Sequence, residues 1–396
     1  MNLIKFDKKM VSDDIWKIVP EFRKHDHQKV YLILENMMQN IMNLLPNEFK
    51  GSVKKEDYVS SYLGDHGTYY EKIIIEMEAN EHEKKIELLY PKLVRDNYFI
   101  MNGSLYVPIL FLERSPIDIL KDEKKGDRIF VNLLPTFNLT FKFKSNEVVF
   151  RKKTVELNIF MRALFHDELD YFDSLVNDGI IAPIDSKLDV EDLDALNAHV
   201  YKMMGFHETE FFKINSLDIS NFFDSYIILD YFRGMFNDFF NVNNFKEIVK
   251  LVIGYSQGVI IDMSDLRNRR IVMNEYLINP LFEMYLRLLY SAIDKNEKQA
   301  FLPTMNNRVI ITSGFRGLMH AGQYFNTSLP YTNPIINKVS QDIYIINDGR
   351  VPKSWTANHP SGLGKLCPIS VSAQNMGSNL VFTNDTRINY FGRIEI

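Results

Sequence analysis

Apolar residues recur at helical spacing through residues 13–47, at Ile15, Ile18 and Val19, then at Val30, Ile33, Leu34, Met37, Met38, Ile41 and Leu44. Steps of three and four residues put such side chains on one buried face, so the spacing predicts helix. After the turn-forming Gly64-Asp65-His66-Gly67 the period shortens. The segments K-I-I-I-E-M-E at 72–78 and K-I-E-L-L at 85–89 predict strands, the second ending at Pro91. Apolar residues alternate again on both sides of Asn102-Gly103, a dipeptide suited to a two-residue hairpin turn. Asp122–Gly126 is a charged linker, and Arg128-Ile129 opens a second β-rich stretch in which F-N-L-T-F-K-F alternates cleanly. The run from Phe150, F-R-K-K-T-V-E-L-N-I-F-M-R-A-L, leads into a helix opened by Arg162-Ala163-Leu164. Residues 166–250 read as helical and aromatic, with Asp189–Asp194 as an acidic first turn favoured by the helix dipole. Within them F-F-D-S-Y-I-I-L-D-Y-F-R-G-M-F at 222–236 reads as buried core. The run D-M-S-D-L-R-N-R-R at 262–270 precedes an amphipathic helix carrying Leu277, Leu281, Met284, Leu288 and Leu289. The pattern predicts an α+β protein, and 396 residues is long for one core, so two to four domains are expected.

Composition narrows the function. With 46% hydrophobic and 24% charged residues the chain has enough apolar surface to fold. A net charge of −5 argues against a uniformly basic coat for nucleic acid, though local basic patches are compatible with it. One cysteine, Cys367, excludes an internal disulfide framework and a multi-cysteine metal site. It reads as a packed thiol, since no paired histidine signature accompanies it. The opening M-N-L-I-K-F-D-K-K-M lacks the apolar core of a signal peptide, and no run approaches the roughly 18 apolar residues of a membrane span. The expectation is a cytoplasmic protein with no membrane partner.

Candidate chemistry is sparse. His25-Asp26-His27, Glu81-His82-Glu83 and His207 with Glu208 and Glu210 read as solvated faces. Gly362-Leu363-Gly364-Lys365 is not a phosphate loop, which needs four residues between its glycines and Ser or Thr after its lysine.

What is specific is a set of blocks in one order. Phe99-Ile100 and Asn102-Gly103 form a hairpin block, and the run from Phe150 ends on R-A-L. Asn268-Arg269-Arg270 closes D-M-S-D-L-R-N-R-R, and Thr332-Asn333-Pro334 follows. The chain then reads His359-Pro360, three residues, Gly364-Lys365-Leu366-Cys367-Pro368-Ile369, and lastly Asn375-Met376-Gly377. Together these resemble the N-terminal half of the β subunit of multisubunit DNA-dependent RNA polymerases. The family patterns are F-I-I-N-G-x-E-R-V, R-R-R-K-L-P-x-T-x-x-L-R-A-L, D-x-D-H-L-G-N-R-R, N-P-L, H-P-x-x-x-G-R-L-C-P-I and N-I-G. The departures are Leu105-Tyr106 for Glu-Arg, Asp265 for His, Arg267 for Gly, Lys365 for Arg, and S-V-S-A-Q where the family has E-T-P-E-G-P.

The resemblance implies a protrusion from residues 1–116 and 265–322, a lobe from 117–264 and a fork from 323–396. It implies a subunit forming one wall of the cleft that holds DNA and the RNA–DNA hybrid. Arg128, Asn268, Arg269 and Arg270 would face the separated strands, where guanidinium groups pair with phosphate. Arg350 and Lys353 would lie in a short second fork loop beside the downstream DNA. Asn333 and Lys365 occupy family positions, and Asn375 would lie close to the RNA 3′ end. Catalytic Mg²⁺ would be bound by another subunit, because the N-A-D-F-D-G-D loop that carries it in the family is missing here. The G-R-H-G-N-K-G block of the C-terminal half of β is missing too, which resembles the split subunits of giant phages. The partners implied are a C-terminal β fragment, β′ or its fragments, template and non-template DNA, nascent RNA and a promoter-specificity subunit. The setting implied is the infected host cell or the packaged virion, and the end near residue 396 would be an apolar interface to the missing half. A non-catalytic DNA-binding or host-takeover factor on the same fold is the alternative.

Overall fold

The computed structural model describes residues 30–40, 42–43, 49–60, 68–79, 82–94, 98–101, 104–106, 110–120, 126–134, 137–150, 153–184, 191–205, 218–258, 262, 265–272, 308–310, 342–345, 359–366, 379–381, 383 and 386–395. The chain is a mixture of helices and mainly antiparallel sheets, an α+β protein. Among the described residues no helix is long and apolar enough to cross a membrane.

Helix α1 (residues 30–40) buries Val30, Ile33, Leu34, Met37 and Met38, the face its spacing requires. Strands β1 (Phe49–Ser60), β2 (Thr68–Ala79) and β3 (His82–Pro91) follow as an antiparallel set. In β2 the consecutive Ile73, Ile74 and Ile75 are all buried, so this central strand is covered on both faces. Strands β4 (Leu93–Val94), β5 (Tyr98–Met101) and β6 (Ser104–Tyr106) make a small sheet. Met101 pairs with Ser104, which leaves two residues between β5 and β6, as the Asn-Gly dipeptide predicts.

Strand β7 (Leu110–Arg114) opens onto a long excursion. The excursion starts with a five-stranded antiparallel meander: β8 (Ile117–Leu120), β9 (Arg128–Leu134), β10 (Phe137–Lys142), β11 (Glu147–Phe150) and β12 (Lys153–Glu156). Ile129, Val131 and Leu133 alternate onto its buried face together with Leu139 and Phe141. Helices cover that face: α2 (Leu157–Leu164), α3 (Leu169–Asn177), α4 (Leu193–Met203), α5 (Ile219–Phe222) running into a π-helical turn (Phe223–Ile227), α6 (Asp230–Phe240) and α7 (Phe245–Ser256).

Arg162-Ala163-Leu164, expected to open a helix, instead closes α2. Leu157, Asn158, Phe160 and Met161 are already buried against the meander, so the helix has to begin at Leu157. Buried Asn158 is accommodated because its amide donates to the Pro183 carbonyl at 2.9 Å. The acidic run before α4 behaves as its spacing suggests, since Asp192 caps the helix by accepting from the N–H groups of Asp194 and Ala195. The aromatic run at 222–236 is core, with Phe222, Phe223, Phe232 and Phe236 all buried. Asp224 in the π-helical turn accepts the Phe245 N–H at 2.9 Å and so ties that turn to the start of α7. Burial pushes its carboxyl above the ordinary range.

The chain returns through a 3-10 turn (Leu266–Asn268) into β13 (Arg269–Val272), which pairs antiparallel with β7, Arg269 opposite Arg114. The expected loop-to-helix boundary at Asn268-Arg269-Arg270 is therefore a turn-to-strand boundary, because β7 offers a partner edge. The amphipathic pattern from Leu277 onward lies outside the described residues. β14 (Arg308–Ile310) joins β3 in parallel, and β15 (Asp342–Ile345) joins β7 in parallel. β16 (Asn379–Val381) pairs with β15, and the short hairpin β17 (Arg387–Ile388) and β18 (Ile394–Glu395) ends the described chain. Residues 115–268 are thus an insertion between two paired strands. Residues 386–395 pack onto α6 and β13, with Ile394 buried and Tyr390 41% exposed.

Candidate nucleic-acid interface

Two of the sequence blocks meet although they lie far apart in the chain. Asp265 starts the 3-10 turn, its carboxylate accepting the Arg267 N–H at 2.9 Å. The Leu266 N–H donates to Ser361 Oγ at 2.9 Å, joining the 262–270 run to the His359-Pro360 run. His359 completes the junction: Nδ1 lies 2.8 Å from Ser361 Oγ, and Nε2 lies 3.7 Å from Asp262. The Ser361 N–H donates back to His359 Nδ1 at 3.2 Å, which caps the 3-10 turn Pro360–Gly362. Downstream, Thr383 Oγ1 donates to the Gly364 carbonyl at 2.5 Å and Thr386 Oγ1 to the Lys365 carbonyl at 2.6 Å. The backbone around Lys365 is thereby held from both sides.

Arg267 lies at the surface with its side chain 62% exposed, and its guanidinium grips both carboxylate oxygens of Asp265, Nε at 2.8 Å and Nη2 at 2.5 Å from Oδ2. Burial alone would raise the Asp265 carboxyl. The hydrogen bonds from the Arg267 side chain and N–H and from Ser361 outweigh it and hold the group below the ordinary carboxylate range. A depressed carboxylate contributes stability that is fully present above its unfolded-state pKa and lost as pH falls through the lower folded value. Asp265→Asn is therefore expected to cost about 1–3 kcal/mol at neutral pH, and the cost should vanish in acid. Urea unfolding of both forms across that window measures it; a gap independent of pH would refute it.

The predicted residues divide into three groups. Asn268 ends the turn, donating from Nδ2 to the Asp262 carbonyl at 2.9 Å. Lys365 is half-buried in the second block, and Arg128 opens β9 opposite Leu120 of β8. Arg269 and Arg270 were expected to face separated DNA strands, but they are 1% and 4% exposed in this chain. Both lie on β13, which pairs with β7 along one edge and meets the hairpin along the other, where Arg270 bridges to Arg393. Asn333, Arg350, Lys353 and Asn375 lie outside the described residues. Sequence reasoning missed Asp262, Asp265, His359, Ser361, Thr383 and Thr386 as the groups that knit the region. The one signal available was the run of capping residue types around each glycine turn. Among the described residues no three His, Cys, Asp or Glu side chains gather into a set able to hold a metal ion.

No protein-family model matches the chain, and no curated protein matches its sequence.

Proposed function

We propose that the chain is the N-terminal β portion of a split, multisubunit DNA-dependent RNA polymerase and forms one wall of the cleft that holds DNA and the RNA–DNA hybrid. The observation that carries this reading is the junction of two blocks that resemble β. The Leu266 N–H meets Ser361 Oγ across 95 residues, and His359 lies against Asp262. Independent chance matches have no reason to pack together. The strand pairing is also what a discontinuous protrusion needs. β13 and β14 return from 265–322 to β7 and β3 of 1–116, which supports reading 117–264 as an inserted lobe.

On this reading the chain holds rather than reacts. Arg267, Asn268 and Lys365 offer cations and amides in the two joined blocks, and Arg128 offers another cation at the start of β9. The phosphate contacts they make are sequence-blind and weaken with salt as counterion release requires. Arg269 and Arg270 support that surface from beneath. Two-metal nucleotidyl transfer is supplied by a partner subunit bearing the acidic loop, and the rest of β comes from a second chain.

An affinity pull-down of the chain at low salt, with mass spectrometry and primed RNA extension on the eluate, tests the reading. Recovery of chains bearing G-R-H-G-N-K-G and D-F-D-G-D, with template-directed extension, is the expected result. A monomer that binds DNA without extension activity overturns it in favour of a non-catalytic factor on the same fold.

A further inference from the structure

The hairpin β17–β18 reaches in two directions from a turn that is fixed internally. Asn389 Oδ1 accepts the N–H groups of Phe391 at 3.0 Å and Arg393 at 2.9 Å. On one side the Gly392 carbonyl accepts the Ile271 N–H at 2.6 Å. Gly392 has φ +86°, and a Cβ there would fall 2.0 Å from the Ile271 carbonyl oxygen, so only glycine permits the approach. On the other side the hairpin grips α6. Asn389 Nδ2 donates to Asp238 Oδ1 at 2.9 Å, and Arg393 Nη1 donates to the Asp238 backbone carbonyl at 2.5 Å. The Arg393 guanidinium also lies 5.3 Å over the Phe239 ring. Phe391 packs where Gly234 leaves room, its ring 2.7 Å from the position a Cβ would take, with its centroid 5.6 Å from that of Tyr231.

α6 belongs to the insertion 115–268, and β13 is the strand that closes it. We infer that residues 387–395 form an intramolecular clasp that docks α6 of the insertion onto β13 and covers that strand's outer edge. When the clasp releases, the edge of β13 beside Arg270 is uncovered and one of the insertion's attachments is lost. Further attachments are α1, where Asn36 Nδ2 meets Asp230 at 3.2 Å, and the Leu266–Ser361 hydrogen bond. The clasp rests on this chain's own contacts and stands apart from the polymerase reading.

Hydrogen exchange by mass spectrometry on the full chain tests it, comparing Gly392→Ala and Phe391→Ala with the unaltered protein. Gly392→Ala should raise exchange of peptides covering β13 and α6 by about tenfold or more, while β9–β11 peptides stay unchanged. Phe391→Ala, which leaves the Ile271 bond intact, should raise α6 more than β13. If Gly392→Ala unfolds the chain outright, the Phe391→Ala pattern decides. No change at α6 or β13, or an equal rise that includes β9–β11, overturns the clasp.

Discussion

Arg269→Ala is expected to lower the unfolding free energy of the isolated chain by about 2–5 kcal/mol, the range for truncating a large buried side chain. Arg269 is among the largest fully buried side chains of the protein, at 1% exposure. It sits on a strand held by β7 along one edge and by the C-terminal hairpin along the other. Neither neighbour can collapse into the space a guanidinium vacates, because both are pinned by backbone hydrogen bonds. The groups that Arg269 engages within the chain also lose their partner, and buried polar groups left unsatisfied are costly. Arg267→Ala, at an exposed position, should cost much less. Urea unfolding of the three forms measures the difference, and Arg269→Met separates lost volume from lost charge. A phosphate-binding arginine on open surface would behave the other way. Its removal would leave stability untouched, weaken DNA binding at every sequence and reduce the salt slope by about one unit. That outcome would return Arg269 to the surface role its sequence context suggests.

The elements legible in the sequence were those whose period and punctuation agree. K-I-I-I-E-M-E, K-I-E-L-L up to Pro91, and the Asn-Gly hairpin all read as strands because turn residues bracket them. The face of α1 and the cap at Asp192 were legible for the same reason. β1 was not. F-K-G-S-V-K-K-E-D-Y-V-S carries too much charge to show a clean alternation, and it is a strand because β2 pairs along its whole length. The switch from β12 to α2 at Leu157 has no glycine or proline to mark it, so the helix start was read several residues late. R-R-I-V at 269–272 is compatible with helix or strand, and a partner over 150 residues away decides between them. At the candidate site, the residue types of the two blocks could be read but their meeting could not. It depends on Ser361 and His359 reaching Leu266 and Asp262, contacts that no local pattern encodes. The burial of Arg269 and Arg270 is likewise a property of the tertiary packing that no local pattern encodes.

Phe223→Ala should cost about 3–5 kcal/mol, and the loss should fall on the whole inserted unit. The Phe223 ring is stacked on Phe245 with centroids 4.0 Å apart, and it meets Phe150 at 6.0 Å, Phe160 at 6.1 Å and Phe222 at 5.6 Å. Those partners come from β11, α2, α5 and α7, so one ring links the sheet to three of the helices that cover it. Each aromatic pair adds about 0.5–1.5 kcal/mol beyond the area it buries, and in the π-helical turn Phe223 shares the anchoring with buried Ile227 and Tyr226. Phe223→Leu, which retains much of the volume, should cost clearly less. Near-UV circular dichroism and urea unfolding check both, and a loss below about 1 kcal/mol for alanine would mean that the neighbouring rings close over the gap. The same geometry decides what this aromatic run is for. A platform for stacking bases needs exposed ring faces, whereas Phe222, Phe223, Phe232 and Phe236 are each at most 1% exposed. Substitutions here should therefore alter the stability of the insertion, and under the proposed function they should leave the nucleic-acid affinity of the folded fraction unchanged.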